Sequence, residues 1–407
     1  MANDGPFSSV PGGVTAASGF LAGVACCGIK PGNLKKPDLA LLCSEVPATG
    51  AAVFTTNKIK AAPVKVSTAH LRTADLRAVV LNSGNANACT GLEGIEHAKR
   101  MARAVGWNLS LRERQVLVCS TGRIGVLMPV ERIEEGIGKA ARSLTGSTGK
   151  AAARAIMTSD TFPKDIAVRQ TTADGRTYTI GGMAKGAGMI NPNMATMLCV
   201  LTTDAPVEKK DLQRALSVAV EQSFNRITVD GDMSTNDTVI LLANGRSGGK
   251  PLQAGSADFS GFQAALNHVS RNLARMIVED GEGTTRCVEV FVSGAATFQD
   301  ARKAAEAVAN SALVKCAWYG GDPNWGRIMD AVGYSSAAVR EEMVDIYYNG
   351  LIAVKAGVAS KTPADKLAEV VREPKFTVHI HLGLGTAEYV VYTTDLSPEY
   401  VRLNKGE

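Results

Sequence analysis

Short apolar runs alternate with amphipathic stretches along the whole chain. The segments AVVLNSG (78–84) and QVLVCSTG (115–122) have the composition of strands, and stretches with helical spacing follow at about 93–105 and 130–142. Strands that alternate with helices in this way are typical of layered folds. The pattern therefore predicts a mixed α/β protein, built from layers of helices and sheets.

The same mixture continues to the end of the chain. AAARAIMTSD (151–160) is predicted to end a third helix, and 165–183 to form a hairpin that turns at Ala173-Asp174-Gly175. Further helices are predicted near 208–223, 258–278 and 299–310, and strands near 197–203, 238–243, 286–293, 376–382 and 388–393. A chain of 407 residues exceeds what one core usually supports, so two domains are expected.

Charge and cysteine usage exclude several classes of protein. The net charge is +5 and no block of five like charges occurs, so nothing favours a nucleic-acid or membrane partner. The eight cysteines form neither a CxxC pair nor a Cys/His cluster with zinc spacing, which favours a reducing compartment and no metal. The first ten residues carry an acid rather than a basic leader, and no apolar run approaches a membrane span. A cytoplasmic location is expected.

Three motifs suggest chemistry but lack the context that it needs. GRSGG (245–249) matches the nucleophile elbow G-x-S-x-G, yet Pro251 indicates a loop where a helix is required. His379 and His381 share one face of a strand, but without a third ligand a structural role is favoured over a metal site. The acidic segment DGDMSTND (230–237) lacks the glycine and glutamate of an EF-hand calcium loop.

The segment KGAGMINPNMATMLCVLTTDA (185–205) passes from a glycine-rich turn into a strand. Thr196 stands where the loop enters that strand. A β-branched residue is common at such a position, and an unactivated hydroxyl is a poor nucleophile. Local pattern alone therefore favours an ordinary strand residue over a nucleophile.

The whole segment, however, resembles the KGxGMI-x-PNMATML hallmark of the ornithine acetyltransferase family, also called glutamate N-acetyltransferase. Other blocks similar to that family are AAVFTTNKIKAAPVKVS (51–67), LNSGNANACTG (81–91), STGRIG (120–125), AIMTSD (155–160), TVDGDMSTNDT (228–238), DGEGTTR (280–286), GGDPNWGRI (320–328) and TTDLSPEYVRLN (393–404). The resemblance implies the DmpA-like self-processing fold. It also implies acetyl transfer from N2-acetyl-L-ornithine to L-glutamate in arginine biosynthesis, with no metal or other cofactor.

The resemblance further implies that the chain cuts itself between Ala195 and Thr196. The products would be an α chain, 1–195, which carries the oxyanion site, and a β chain, 196–407, which begins with the nucleophile. The cut frees an α-amine beside the Thr196 hydroxyl, and its ordinary pKa of about 8 lets it act as a local base. Two α and two β chains would form a heterotetramer.

The remaining site residues are also implied by the resemblance. Thr121, through its hydroxyl, and Gly122, through its backbone N–H, would stabilise the oxyanion; without the resemblance they would be interpreted as a turn that ends a strand. Lys185 would hold a substrate carboxylate and Glu282 a substrate ammonium.

Two further contacts are less closely matched to the family pattern. The family's MTTD stretch is MTSD here, so Ser159 keeps the hydroxyl of a substrate-binding threonine but loses its methyl group. Asn404 matches a substrate-binding asparagine near the C-terminus. The hydroxyl residue that usually follows it has no counterpart before Glu407.

Three alternatives stay open at this point. A self-processing aminopeptidase or amidase would pass the acyl group to water rather than to glutamate. A non-catalytic ligand-binding or scaffold protein would stay as one uncut chain. Acetyl-CoA could also serve as an acetyl donor, as it does in the bifunctional members of the family.

Processing provides the first test. The purified protein should run as two associated fragments, 1–195 and 196–407, whereas Thr196→Ala should stay as one chain because it has no hydroxyl to attack the preceding carbonyl. Mass spectrometry of the denatured protein measures both. An intact wild-type chain would contradict the nucleophile assignment.

Overall fold

The computed structural model describes residues 7–30, 35–73, 75–191 and 197–405. The chain forms two compact units. The first comprises Met1–Gly186, Asn193–Asn225 and Met233–Ile277, and the second comprises Ala187–Pro192, Arg226–Asp232 and Val278–Glu407. Both contain sheets and helices, so the predicted mixed α/β class is confirmed. The predicted division at residues 195 and 196 concerns processing, and it stays a prediction.

In the first unit, nine strands of the described residues form one sheet in the order β1-β6-β7-β8-β9-β3-β4-β5, with β2 also paired to β3. The strands are β1 (Phe7–Ser9), β2 (Phe20–Ala25), β3 (Leu39–Phe54), β4 (Leu76–Asn82), β5 (Val116–Ser120), β6 (Lys164–Thr171), β7 (Thr177–Lys185), β8 (Leu198–Thr203) and β9 (Thr238–Ala243). The pairs β4–β5 and β8–β9 are parallel and the other pairs are antiparallel.

The long strand β3 joins the two halves of this sheet. Its first residues, 39–43, pair with β2 and β4, and its last residues, 49–54, pair with β9. Between them the register with β4 shifts. Pro47 lies in this interval and has no N–H to donate to a ladder, which suits an irregular stretch. One strand thus takes part in both halves.

The helices of the first unit are α1 (Ala62–His70), α2 (Gly91–Leu109), α3 (Val130–Arg142), α4 (Gly149–Ala155), α5 (Lys209–Glu221) and α6 (Ala257–Glu279). Successive residues of β4 and β5 alternate between two cores. One face packs against α1, α2 and α3, and the other packs in a cluster with α4 and residues of β8 and β9. Burial on both faces explains why these strands are continuous apolar runs.

The second unit contains a sheet of six described strands in the order β13-β12-β11-β14-β10-β15. They are β10 (Cys287–Ala295), β11 (Asp345–Tyr348), β12 (Leu351–Lys355), β13 (Val358–Ala359), β14 (Lys375–His381) and β15 (Ala387–Thr394). The helices are α7 (Phe298–Asn310), α8 (Ala312–Tyr319), α9 (Trp325–Tyr334), α10 (Ala364–Val371) and α11 (Pro398–Leu403). Every second residue of β10 is buried in a core that includes Trp318 of α8.

The predicted helices and strands all occur, with ends that differ by a few residues. GRSGG (245–249) lies in a turn, with positive φ angles at three of its glycines, as its loop interpretation requires. His379 and His381 both contact the Ser293 hydroxyl, at 2.8 and 3.0 Å. Among the described residues, no helix is both long and apolar enough to cross a membrane.

Substitution of two tryptophans tests which side chains contribute to the free energy of unfolding through packing. Trp318 is 1% exposed in the second core, whereas Trp107 of α2 is 88% exposed. Trp318→Ala should lower the free energy of unfolding by about 3–5 kcal/mol because it opens a cavity. Trp107→Ala, the matched control, should change it by less than about 0.5 kcal/mol. Denaturant unfolding followed by circular dichroism measures both, and equal losses would contradict this assignment of the core.

Candidate active site

Two strand ends of the first unit bring predicted site residues together. Thr121 follows β5 and Lys185 ends β7, and their side chains are 5% and 3% exposed. The Lys185 Nζ donates to the Thr121 Oγ1 over 3.4 Å. A buried lysine therefore faces the hydroxyl that was predicted to stabilise an oxyanion.

Gly122 occupies a position that other residues could not take. Its φ is +131°, and a Cβ built on it would lie 2.3 Å from the Gly84 carbonyl carbon and 2.5 Å from the Asn85 nitrogen. Both the dihedral angle and the close approach of a second backbone require glycine. The Thr121 N–H donates to the Asn82 carbonyl at 3.0 Å, which holds the same turn from its other side.

Two adjacent donors in this turn have no acceptor among the described residues. The Thr121 hydroxyl accepts from Lys185 but donates to no group there, and the Gly122 N–H makes no hydrogen bond. The Thr121 hydroxyl is buried, and buried donors are rarely left unused, whereas Gly122 is exposed and its N–H is accessible to solvent or to a ligand. A pair of open donors on neighbouring residues is the arrangement that stabilises an oxyanion in acyl transfer.

The turn is held by asparagines that sequence reasoning missed. The Asn236 amide donates to the Ala86 and Ser120 carbonyls at 2.6 and 2.8 Å, so it ties the end of β5 to a neighbouring loop. The Asn85 Oδ1 accepts from the Asn87 N–H at 2.8 Å. The available signal was the concentration of asparagine in LNSGNANACTG and TVDGDMSTNDT, but asparagine is equally frequent in ordinary turns.

Asp160 was also missed, although it follows the predicted contact Ser159. Its carboxylate is buried, whereas Ser159 is exposed. Oδ1 accepts from the Lys164 Nζ at 2.6 Å and from the Gly186 N–H at 2.7 Å, and the Lys185 Nζ lies 4.0 Å from Oδ2. Burial alone would raise the pKa of Asp160, but the two lysines and these hydrogen bonds outweigh it and lower the pKa to about 2.

In the second unit, Glu282 and Asn404 lie together. The Asn404 Nδ2 donates to the Glu282 Oε2 at 2.8 Å, and the Glu282 N–H donates to the Ala187 carbonyl at 2.8 Å. A Cβ on Gly188 would lie 2.5 Å from the same Oε2. The second glycine of the KGAG motif therefore leaves room for the Glu282 carboxylate.

Ala195 and Thr196 lie outside the described residues, but aspartates bind the backbone on either side. In the second unit, the Asp230 carboxylate accepts from the Met189 and Ile190 N–H groups at 2.5 and 2.9 Å. In the first unit, the Asp237 Oδ1 accepts from the Met197 N–H at 2.9 Å. The acidic segment that contains both aspartates thus accepts backbone hydrogen bonds.

Asp237 is fully buried, and burial raises its pKa well above the ordinary value. The Met197 N–H, Lys185 and Thr55 act in the opposite direction, although the Thr55 hydroxyl already donates to the Ser234 carbonyl at 2.8 Å. The second oxygen, Oδ2, has no hydrogen-bond partner among the described residues. In that same part of the chain, no group of three or more His, Cys, Asp or Glu side chains could hold a metal.

The chain is similar to known proteins over nearly its whole length. The ArgJ family model matches residues 21–406. The chain is 50% identical to the arginine biosynthesis bifunctional protein ArgJ of Geobacter sulfurreducens, over 92% of this chain and 95% of that protein. It is 46% identical to the glutamate N-acetyltransferase of Methanocaldococcus jannaschii, over 97% of this chain and 98% of that protein. A crystal structure of ornithine acetyltransferase complexed with ornithine from Mycobacterium tuberculosis is 41% identical, with a TM-score of 0.42, and covers 46% of this chain and 98% of that chain.

The matches to the family model and to these relatives cover nearly the whole chain and show its family. The chain belongs to the ArgJ family, and it is an acyltransferase of arginine biosynthesis. The predicted family is thereby confirmed. The individual roles of the site residues stay predictions.

The oxyanion assignment predicts a specific kinetic loss. Thr121→Ala should lower kcat by about 10²-fold or more, as the loss of one positioned donor does. The affinity for acetylornithine should change little, since the donor acts mainly in the transition state. Thr121→Ser, which keeps the hydroxyl, is the matched control and should retain most activity. An unchanged kcat in Thr121→Ala would indicate that Thr121 is only a structural residue of the turn.

Proposed function

We propose that this enzyme transfers the acetyl group of N2-acetyl-L-ornithine to L-glutamate through Thr196. The observation that carries the proposal is the pair of open donors, the Thr121 hydroxyl and the Gly122 N–H, beside the buried Lys185. Family membership supports the same reaction, because relatives are named as arginine-biosynthesis and glutamate N-acetyltransferase proteins.

The reaction is a double displacement. After cleavage of the Ala195–Thr196 bond, the Thr196 hydroxyl attacks the acetyl carbonyl while the free α-amine takes its proton. The negative charge that develops on the carbonyl oxygen is stabilised by Thr121 and Gly122. The C–N bond of acetylornithine then breaks as the α-ammonium returns the proton to the leaving nitrogen, and ornithine departs. The amine of glutamate attacks the acetyl-threonine and gives a proton to the α-amine, which passes it to the Thr196 oxygen as the ester bond breaks and N-acetylglutamate is released.

Charged groups of the substrates account for the other site residues. Lys185 binds the carboxylate of each amino acid, and Glu282 binds an ammonium group. Support for the second role comes from Gly188, because its missing side chain leaves the Glu282 carboxylate room. Ser159 and Asn404 make the remaining polar contacts, and the exposure of both side chains is compatible with substrate binding.

Strand pairing brings the strand that follows the predicted nucleophile in the sequence next to Lys185. The last residue of β7, Lys185, pairs with the first residue of β8, Leu198. Leu198 is only two residues after Thr196 in the sequence. The residue between these two, Met197, donates its N–H to the Asp237 carboxylate, which holds the backbone at the start of β8.

Two assays separate the alternatives. Acetylation of glutamate from acetyl-CoA alone shows whether acetyl-CoA is a second donor. Release of ornithine with and without glutamate separates the transferase from an aminopeptidase or amidase, since a hydrolase needs no acceptor.

We further propose a cytoplasmic heterotetramer of two α and two β chains that uses no metal or other cofactor. Light scattering of the processed protein tests the size of this assembly.

A covalent intermediate predicts the kinetic form. Since ornithine must leave before glutamate reacts, double-reciprocal plots at several glutamate concentrations should be parallel. Acetylornithine alone should add one acetyl mass to fragment 196–407 and none to fragment 1–195. Thr196→Ala is the control and should take up no acetyl group. Intersecting lines together with an unmodified fragment would indicate direct transfer and remove the covalent role from Thr196.

A further inference from the structure

The described residues contain two buried lysines that each donate to a threonine hydroxyl. In the first unit, the Lys185 Nζ contacts the Thr121 Oγ1 at 3.4 Å; in the second unit, the Lys315 Nζ contacts the Thr393 Oγ1 at 2.9 Å. Both lysines are 3% exposed. The chain thus offers a pair in the site and a similar pair outside it.

The two pairs differ in what the threonine does with its own proton. The Thr393 hydroxyl donates to the Ala309 carbonyl at 3.1 Å, so this pair is complete within the second unit. The Thr121 hydroxyl accepts from Lys185 but donates to no group among the described residues. In the site pair the lysine is therefore linked to a hydroxyl whose proton is still available.

We propose that Lys185 takes part in the acyl-transfer step as the donor that polarises the Thr121 hydroxyl, and that Asp160 is the positioning residue that keeps Lys185 in place. This inference rests on the proposed function, in which Thr121 stabilises the oxyanion. It adds a catalytic role to Lys185, beyond binding a substrate carboxylate.

Asp160 attracts Lys185 without competing for its hydrogen bond to Thr121. Its Oδ1 accepts from Lys164 and Gly186, and its Oδ2 accepts from the Thr158 N–H at 3.0 Å. The distance of 4.0 Å between Oδ2 and the Lys185 Nζ is too long for a hydrogen bond but short enough for ionic attraction. The carboxylate thus stabilises the ammonium while leaving its donor directed at Thr121.

The charges of this cluster also favour an anion at Thr121. Lys164 and Lys185 are buried cations, and Asp160, whose pKa is lowered to about 2, is the buried carboxylate that contacts them. The Lys185 Nζ lies 3.4 Å from the Thr121 Oγ1, and a positive charge at this distance favours a negative charge on a group that the hydroxyl contacts.

The Lys185 ammonium acts on the transition state through the Thr121 hydroxyl. A hydroxyl that accepts from an ammonium is a stronger donor, because hydrogen bonds in a chain polarise one another. The distance of 3.4 Å is long, but catalytic hydrogen bonds often tighten only when the reacting group is present. When negative charge develops on the acetyl oxygen, the hydrogen bond from the Thr121 hydroxyl to that oxygen shortens. The hydrogen bond from the Lys185 ammonium to Thr121 then shortens as well.

A double-mutant cycle tests the link. The rate of acetylation of fragment 196–407 is measured in single turnovers, at saturating acetylornithine, for wild type, Lys185→Met, Thr121→Ala and the double variant. We expect Lys185→Met to lower this rate by about tenfold or more when Thr121 is present and by less than about threefold when it is absent. If Lys185 acted only on a substrate carboxylate, its effect would fall on the half-saturating concentration and would be equal in both backgrounds.

The pair in the second unit supplies the control. The same cycle with Lys315→Met and Thr393→Ala should change thermal stability but leave the acetylation rate of the folded protein within about twofold of wild type. If Lys185→Met stays uncut or unfolded, Asp160→Asn replaces it in the cycle, since this variant leaves both the ammonium and the hydroxyl in place. Its effect on the rate should likewise largely disappear in Thr121→Ala.

The outcomes are distinguishable. If wild-type fragment 196–407 never carries an acetyl group, the proposed function itself is wrong. If wild type is acetylated but the effects on the rate multiply independently in both cycles, the proposed function survives and the role of Lys185 in polarising Thr121 is overturned. Strong non-additivity with an unaffected control cycle supports the proposal.

Discussion

The buried carboxylate of Asp160 connects the elements on which the candidate site of the first unit depends. It holds the start of β6 through Lys164, the residue after β7 through the Gly186 N–H and the end of the α4 region through the Thr158 N–H. Removing one partner of a buried ion pair typically costs about 3–5 kcal/mol, because the other charge is left unpaired. The same carboxylate that stabilises this junction also lies 4.0 Å from the Lys185 Nζ.

Close backbone approach is the second constraint on the site. Gly122 lies so near the Gly84–Asn85 peptide that no side chain could be added, and in the second unit Gly188 leaves space for the Glu282 carboxylate. Each of these two positions requires glycine for a different physical reason. At Gly122 a positive φ angle and a neighbouring backbone both exclude a Cβ, whereas at Gly188 the space is needed by a charged side chain. The glycines at these two positions are thus required by neighbouring atoms and not by turn geometry alone.

The structure separates donors that are left open from polar side chains that bind the backbone. Thr121 and Gly122 present open donors, whereas Asn236 and Asn85 use their amides to bind loop backbone. The carboxylates of Asp230 and Asp237 accept hydrogen bonds from the backbone before and after residues 192–196. The block TVDGDMSTNDT, which has the acidity of a cation-binding loop, instead accepts and donates hydrogen bonds that position the chain near the predicted cleavage bond.

The pattern of apolar and polar residues was enough to determine the mixed α/β class and most helices and strands, because local periodicity records which faces are buried. The resemblance of KGAGMINPNMATML and its companion blocks determined the family. Neither could reveal the register shift within β3, the pairing of Lys185 with Leu198 or the contacts of Asp160, Lys164 and Asn236. These depend on contacts between residues that are distant in the sequence, or on which of two adjacent polar residues is buried. Ser159 and Asp160 are neighbours in one motif, yet only the folded chain places the first at the surface and the second, buried, beside two lysines that lower its pKa.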